Sequence, residues 1–196
     1  MARLLIIERT GAFSEALKKR YEVTSIPSGK EALSLVKQRD YAVVVLDAAL
    51  RLGLIDHEVL RARLFDIAGV PGSRSAARAV LFADGRSESV GESRSRVILH
   101  RWKLAPSALQ FEIRSPDGVL IGRTDFAWEK HRLVGEFDGR IKYGRLLRPG
   151  QQPGDVVFEE KRREDEIREE GWGVIRWTWS DLHRPDRLAA RVRRMN

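Results

Sequence analysis

The stretch GRTDFAWEKHRLVGEFDGRIKYG, residues 122–144, contains two short apolar runs that each carry a carboxylate. Asp125 lies in the first run, TDFAW, and Glu136 lies in the second, RLVGEF, with Asp138 two residues later. A carboxylate that is removed from water is costly unless it is paired, hydrogen-bonded or bound to a cation. The two runs therefore predict neighbouring strands whose carboxylates have a specific partner.

The residues around this stretch predict a single unit over 85–196. A helix over SESVGESRSRVILHRW precedes two strands joined at PDG, a strong turn sequence, and HRLVGEF predicts a third strand. The charged segment VVFEEKRREDEIREE predicts a helix that ends at Gly171. WGVIRWTWSDL then predicts a fourth strand, and HRPDRLAARVRRMN predicts a terminal helix. The order α-β-β-β-α-β-α places this unit in the α/β class.

Residues 1–47 predict alternating strands and helices, with the apolar run YAVVVLD as a buried parallel strand. This order resembles the first half of a response-regulator receiver domain, in which Asp47 would occupy the phosphoacceptor position. The resemblance implies phosphorylation-regulated signalling, although only Glu8 represents the acidic pair that follows a receiver's first strand. The alternative is a small α/β appendage in which Asp47 caps the next helix.

Residues 48–84 predict helices that are punctuated by Gly53 and by VPGS at 70–73. They fit either the tail of a helical DNA-binding module or a helical connector. We therefore expect three parts in the chain: an α/β segment over 1–47, a helical connector over 48–84, and the larger unit over 85–196.

Charge and composition favour a nucleic-acid partner. The chain has 196 residues and a formal net charge of +8, and arginine supplies 28 of its 36 basic residues. Arginine donates paired hydrogen bonds to phosphate, although a GC-rich genome also enriches arginine. No apolar run approaches the roughly 18 residues of a membrane-spanning helix, and there is no cysteine. We expect a cytoplasmic protein without a membrane partner, and the sequence leaves its oligomeric state open.

The predicted hairpin brings Asp125 and Glu136 side by side on neighbouring strands. The preceding helix carries Glu92, which we expect to approach the same place. Converging carboxylates suit Mg²⁺, or Mn²⁺ in its place, because these cations prefer oxygen ligands. A bound divalent cation lowers the pKa of water and offsets charge on a phosphate, as phosphodiester hydrolysis requires. The plainer alternative makes each carboxylate a surface residue of a half-exposed sheet or helix.

At these residues the chain resembles the PD-(D/E)XK nuclease superfamily, and more closely its branch of bacterial proteins related to very-short-patch-repair (Vsr) endonucleases. The similar segments lie within residues 86–182 and are GESRSR, GRTDFAW, LVGEFDGRIKYGR, EKRREDEIREEGWGVIRWTW and DL. The resemblance implies a restriction-endonuclease-like core with a mixed sheet flanked by helices. It also implies Mg²⁺-dependent cleavage of DNA in repair, restriction or phage defence, and RNA stays open as an alternative substrate.

Residue by residue, the resemblance assigns Glu92 to the acid on the first helix, Asp125 to the strand acid and Glu136 to the first acid of the E-x-K half-motif. Asp165, in the charged helix, matches an acid of the Vsr-like branch. Asp165 also forms an i,i+4 pair with Lys161, and such a pair is by itself a sufficient reason for both residues on an exposed helix.

The half-motif departs from the general pattern at its third position, where Asp138 replaces lysine. The related branch commonly has E-x-D-G here, and Asp138-Gly139 is also a common turn pair. The lysine normally orients water or offsets negative charge, and we expect either Lys142 or Lys161 to replace it. Vsr-like proteins usually have a histidine near the position of Lys142, and none of the four histidines lies there.

The sequence thus predicts a metal-dependent DNA endonuclease or nickase. The runner-up is a catalytically inactive nucleic-acid-binding module on the same fold, which the absent lysine favours. The predicted contacts to the nucleic-acid backbone are the arginines around the carboxylates, namely Arg123, Arg140, Arg145 and Arg162. The basic segment 184–194 either contacts phosphate or forms a solvated amphipathic helix.

Overall fold

The computed structural model describes the backbone of residues 3–6, 22–25, 39–139 and 153–195, with side chains over 42–139 and 158–195. The chain divides into two compact units, residues 1–93 and 94–196. The sequence predicts this division earlier, after residue 84. The described residues form helices, a two-stranded parallel sheet and a four-stranded mixed sheet, which makes the protein a mixed α/β protein.

The first unit begins with two parallel strands and continues with helices. The strands are β1 (Arg3–Ile6) and β2 (Glu22–Ser25). The helices are α1 (Arg39–Arg51), α2 (His57–Asp66) and α3 (Ser73–Phe82). The helices predicted after residue 48 are therefore present. The two helices predicted between the first three strands, 12–20 and 28–40, lie outside the described residues except for Arg39 and Asp40, which begin helix α1.

The prediction of a strand over YAVVVLD is wrong, because these residues lie in helix α1. A short apolar run does not by itself distinguish a buried strand from a buried helix. Val43, Val44 and Asp47 are all buried, and their spacing is that of one helical face. Asp47 Oδ1 accepts a hydrogen bond from the Asp84 N–H at 2.7 Å. Asp47 therefore neither ends a strand, as a receiver phosphoacceptor does, nor caps the next helix, whose N-cap is Asp56.

The second unit has the predicted order of elements, with two short helices added: a 3-10 helix at Glu129–His131 and an α-helix at Trp179–Leu182. Helix α4 begins in the first unit and continues into the second. The elements are α4 (Val90–Arg101), β3 (Ala108–Arg114), β4 (Leu120–Trp128), β5 (Leu133–Asp138), α5 (Pro153–Glu169), β6 (Gly173–Thr178), α6 (Trp179–Leu182) and α7 (Pro185–Met195). The strands lie in the order β3-β4-β5-β6; the first two pairings are antiparallel and the third is parallel.

Local chemistry explains where two of these elements end. In the predicted PDG turn, Gly118 has a φ of 83° and donates its N–H to the Ser115 carbonyl at 2.9 Å. The fourth strand is shorter than predicted, because Thr178 and Asp181 form a capping box that starts α6. The residues WSDL are therefore helical, and β6 ends at Thr178.

Each face of the four-stranded sheet packs against different helices. Helices α4 and α7 cover one face of the sheet, which we call the α4/α7 face. Its buried side chains include Leu99, Phe126, Phe137, Trp177, Leu188 and Val192. The opposite surface, the α5 face, contains a smaller cluster of Ile113, Ala127, Val134, Ile167 and Val174. Trp177 is 1% exposed, and its Nε1 donates to Ser95 Oγ at 2.8 Å.

Trp177 also explains a glycine in the middle of β5. A Cβ at Gly135 would lie 2.7 Å from the Trp177 ring and 3.1 Å from the Trp128 ring. Real Cβ atoms essentially never approach other atoms as closely as the first distance. Gly135 therefore allows the indole to lie directly against the backbone of the strand that carries Glu136.

Candidate functional site

The α5 face changes from apolar to polar along its strands, because side chains alternate between the two faces. On β4, β5 and β6 its apolar end consists of Ala127, Val134 and Val174. Two residues away on the same strands lie Asp125, Glu136 and Arg176, which we call the polar end. The two acids that the sequence predicted to be neighbours are therefore on adjacent strands and on the same face.

Asp125 lies where the pairing between β4 and β5 stops. The last paired residues of this ladder are Phe126 and Gly135. Asp125 precedes Phe126, and its Oδ2 accepts a hydrogen bond from the Phe137 N–H at 2.8 Å. The carboxylate thus satisfies a main-chain donor beyond the end of the ladder, directly beside Glu136. A hydrogen bond of this kind offsets part of the free energy that is lost when a carboxylate is removed from water.

Glu136 is held between two arginines. Its side chain is 14% exposed. Its Oε1 accepts a hydrogen bond from Arg163 Nη2 at 2.8 Å, and its Oε2 lies 3.1 Å from Arg176 Nε. Arg163 comes from α5 and Arg176 from β6, so the ion pairs join a helix and two strands. In the structure, paired charge therefore compensates the desolvation of Glu136.

The ion pairs extend from Glu136 along the inner side of α5. Arg176 Nη1 lies 3.3 Å from Glu160 Oε1, and Arg176 Nη2 lies 3.2 Å from Glu164 Oε2. Arg168 Nη2 contacts Glu164 Oε1 at 2.8 Å. With Glu136 and Arg163, these contacts join three carboxylates and three guanidiniums among the described residues.

Asp138 ends β5 and lies opposite Thr178 of β6 in the parallel ladder. It is half-buried, and the alternation along β5 places it on the same face as Glu136. The described backbone stops one residue later, at Gly139. Asp138 therefore lies on the same face as Glu136 and directly before Gly139. Its role as a further metal ligand and its role as a turn residue both stay predictions.

Glu92 caps a helix in the first unit. It lies in the first turn of α4, where its carboxylate accepts a hydrogen bond from the Glu88 N–H at 2.8 Å. Its own N–H donates to Ser89 Oγ at 3.1 Å. Ser89 Oγ thus satisfies the Glu92 N–H in the first helical turn, and the Glu92 carboxylate satisfies the Glu88 N–H just before the helix. Its assignment as a metal ligand stays a prediction.

The exposed side of α5 carries three of the residues that the resemblance or the charge pattern singled out. Lys161, Arg162 and Asp165 are all exposed. Arg162 Nε lies 3.3 Å from Glu166 Oε1, an i,i+4 pair on the same exposed helix. The helix positions that contact the sheet are instead Glu160, Arg163, Glu164 and Ile167. Lys161 therefore lies on the side of α5 that faces away from Glu136. The described cations that contact the Glu136 carboxylate are Arg163 and Arg176.

Several predicted residues lie outside the described part of the chain. Lys142, Arg140 and Arg145 belong to residues 140–152. Arg123 is described and exposed, and its carbonyl accepts a hydrogen bond from Arg163 Nη1 at 3.3 Å. Within 42–139 and 158–195, no group of three or more His, Asp or Glu side chains is arranged to hold a metal ion.

The basic terminal segment forms an amphipathic helix. Leu188 and Val192 of α7 are fully buried. Arg191 Nη1 lies 3.0 Å from Asp181 Oδ1, and the Arg193 guanidinium lies over the Trp102 ring at 5.3 Å. The remaining arginines of the segment are exposed and have no side-chain partner among the described residues: Arg184, Arg187 and Arg194. This surface is available to a polyanion.

Sequence reasoning missed Arg163 and Arg176. Every residue from 159 to 166 is charged, so the charge pattern alone does not reveal which side of α5 faces the sheet. The apolar residue Ile167 gives the available clue, since positions three and four residues before it share its helical face. On β6, counting by two from Val174 gives Arg176.

Two proteins of Mycobacterium tuberculosis, one from strain CDC 1551 and one from strain H37Rv, are similar to this chain, and both are described as uncharacterized. Each is 29% identical over 192 residues, which cover 97% of this chain and 67% of the relative. The similarity therefore extends through both units. No protein-family profile matches the chain, and no solved structure matches it. Among the described helices, none is both long and apolar enough to cross a membrane.

Proposed function

We propose that the chain is a Mg²⁺-dependent DNA nuclease in which Asp125 and Glu136 are protein ligands of the metal. One observation carries the proposal: the two carboxylates come from adjacent antiparallel strands and share the polar end of the α5 face. Asp125 Oδ2 lies 2.8 Å from the nitrogen of Phe137, the residue that follows Glu136. The proposal assigns the second unit to the restriction-endonuclease-like folds and the protein to the cytoplasm.

The donors at the polar end fit a magnesium site in kind and number. Mg²⁺ keeps several waters and is usually bound by one or two carboxylates together with phosphate oxygens of the substrate. Asp125 and Glu136 are such a pair, and Asp138 is on the same face of β5. The resemblance adds Glu92 to these ligands. When bound, the cation supplies a more acidic water molecule and neutralises charge on the scissile phosphate.

Arg163 and Arg176 bring the positive charge that a lysine at position 138 would otherwise supply. Their guanidinium nitrogens lie 2.8 Å and 3.1 Å from the Glu136 carboxylate. A guanidinium stays charged at every physiological pH and donates two parallel hydrogen bonds to phosphate. In the proposed reaction these residues orient the phosphate beside the carboxylates and stabilise the charge that develops on it.

Positive charge elsewhere supports DNA as the substrate. The net charge of +8 offsets the repulsion between an acidic site and a polyanion. Arg184, Arg187 and Arg194 add an exposed basic surface on the C-terminal segment. Because phosphate contacts carry no sequence information, we expect these arginines to raise affinity without selecting a site.

The test is cleavage of supercoiled plasmid DNA by the wild type, Asp125→Asn and Glu136→Gln with Mg²⁺ or Mn²⁺. We expect each substitution to lower the rate at least ~100-fold, because removing one electrostatic element of an active site typically costs that much. Asp117→Asn, at the exposed hairpin turn of the same sheet, is the matched control and should cleave like the wild type. Equal cleavage by Asp125→Asn and the control would contradict the assignment.

A second candidate is a nucleic-acid-binding module that does not cut. It is favoured by the ion pairs of Glu136, since both of its oxygens already have an arginine partner, and by Asp138 in place of lysine. This candidate predicts that the wild type binds duplex DNA with a strong salt dependence but leaves it intact with every divalent cation. Plasmid nicking or linearisation that is lost in Asp125→Asn would contradict it.

A further inference from the structure

The two arginines that contact Glu136 differ in how firmly they are held. Arg176 lies within 3.3 Å of three carboxylates, those of Glu136, Glu160 and Glu164. Its Nε is buried and has no aligned hydrogen bond, although it lies 3.1 Å from Glu136 Oε2. The charges of Glu160 and Glu164 would keep Arg176 in place if Glu136 took another partner.

Arg163 has a single carboxylate partner. Its Nη2 donates to Glu136 Oε1 at 2.8 Å, and its Nη1 donates to the Arg123 carbonyl at 3.3 Å. Its aliphatic stem lies on Gly122 of β4, where an added Cβ would be 3.2 Å from Arg163 Cδ. The side chain is about a third exposed, at 32%. Glu136 is therefore the only charge that holds this guanidinium among the described residues, and solvent reaches it.

A metal ion and Arg163 compete for the same carboxylate. A cation on Glu136 would lie beside the Arg163 guanidinium, and like charges at such short range repel strongly at a half-buried site. A DNA phosphate removes the conflict, since it offers the guanidinium a bidentate anionic partner in place of Glu136. Whatever draws Arg163 away from Glu136 therefore makes room for a cation.

We propose that Arg163 exchanges Glu136 for a DNA phosphate, so that DNA and Mg²⁺ bind cooperatively and the carboxylate is released to the metal only when substrate is present. The inference rests on the proposed metal site at Asp125 and Glu136. Two ligands that favour the same state raise each other's affinity by an equal factor. Arg163 contacts the DNA phosphate directly in this scheme, and its exchange of partners links the two binding events.

The first measurement is the affinity for Mg²⁺ alone, by calorimetry. Arg163→Gln removes the competing charge, so it should bind Mg²⁺ roughly tenfold more tightly than the wild type, within the usual range of a coupling between sites. Arg114→Gln is the matched control, because Arg114 is an exposed arginine at the end of β3 in the same sheet, pairs with Glu112 and has no assigned role in binding. It should bind Mg²⁺ like the wild type.

The second measurement is the coupling itself. The probe is a fluorescein-labelled duplex with phosphorothioate linkages, and its dissociation constant is measured by anisotropy with and without Mg²⁺ at constant ionic strength. We expect Mg²⁺ to tighten binding to the wild type and to Arg114→Gln by about tenfold. In Arg163→Gln the factor should fall well below the wild-type value, because only the metal's own contact with phosphate then couples the two ligands. Arg163→Lys keeps a point charge for phosphate and should retain part of the coupling.

The outcomes separate this inference from the proposed function. A wild type that binds no Mg²⁺, with or without the duplex, overturns the metal site and the inference together. A wild type that binds Mg²⁺ equally well in both conditions leaves the metal site standing and overturns the exchange. Wild-type coupling in Arg163→Gln also overturns it. Thermal melting checks that each variant is folded, and if Arg163→Gln is not, full wild-type coupling in Arg163→Lys decides against the exchange.

Discussion

The two faces of the four-stranded sheet exclude water in different ways, although they belong to the same strands. The α4/α7 face is apolar throughout its cluster, and Phe126, Trp177 and Leu188 are almost inaccessible to solvent. The α5 face is apolar at one end and is filled by ion pairs at the other. Buried ion pairs rarely stabilise a fold more than apolar side chains of similar size. The contrast predicts that side chains on the α4/α7 face contribute more to stability than the ion pairs at the polar end do.

The substitution Trp177→Ala tests most severely whether the two faces contribute differently to stability. We expect it to lower the free energy of unfolding by about 3–5 kcal/mol, because it removes a large buried ring and leaves a cavity. Ser95 Oγ also loses its hydrogen-bond donor. Urea denaturation measures the effect, with Trp172→Ala as the counterpart on the α5 face, where the indole is half-buried against Phe111. Equal losses of unfolding free energy in the two variants would show that the two faces contribute equally to stability.

A smaller effect is expected for Arg176→Gln at the polar end. Removing one partner of a fully buried ion pair costs about 3–5 kcal/mol, and we expect about 2 kcal/mol because the Arg176 side chain is 29% exposed. Three carboxylates would then lack their shared cation. Adding Glu136→Gln should restore part of the loss, and a double-mutant cycle by urea denaturation measures that coupling. Strictly additive losses would mean that the two side chains do not interact.

The smallest effect should come from Arg162→Gln, on the exposed side of α5. Arg162 and Glu166 form a solvent-exposed i,i+4 pair, which is typically worth at most about 0.5 kcal/mol. The same denaturation experiment in low and high salt should show a loss that shrinks further as salt screens the pair. A loss comparable to that of Arg176→Gln would show that the sheet side and the exposed side of α5 are not energetically distinct.

The sequence predicted the second unit better than the first, and the reason lies in the kind of pattern each contains. The PDG turn located the hairpin of β3 and β4, and the two short apolar runs around Asp125 and Glu136 located β4 and β5, because turn chemistry and short apolar runs are local signals. The run YAVVVLD has no turn sequence at either end, so its pattern did not distinguish a strand from the helix that the structure shows. The end of β6 was also missed, because the capping box at Thr178 interrupts a sequence that is otherwise suited to a strand.

The candidate site could also be predicted only in part from local sequence patterns. The position of the two acids on adjacent strands follows from hairpin geometry, and the sequence predicted it. Which cations reach Glu136 depends on the rotation of α5 and on the strand that follows it, and both are set by packing that involves distant residues. For this reason the sequence directed attention to Lys161 and away from Arg163, two positions later on the same helix. The metal ligands and the nuclease activity remain proposals.

The contact of Arg191 with β6 has a consequence for association between chains. β6 is the outermost strand at one side of the described four-stranded sheet, and the Arg191 Nη2 atom donates to the Arg176 carbonyl at 2.6 Å. Outer strands with unsatisfied main-chain groups are templates for edge-to-edge pairing and aggregation. By occupying a main-chain acceptor of this strand, the Arg191 side chain leaves the edge less available for pairing with another chain. A chain that lost α7 would expose both an apolar surface and a strand edge.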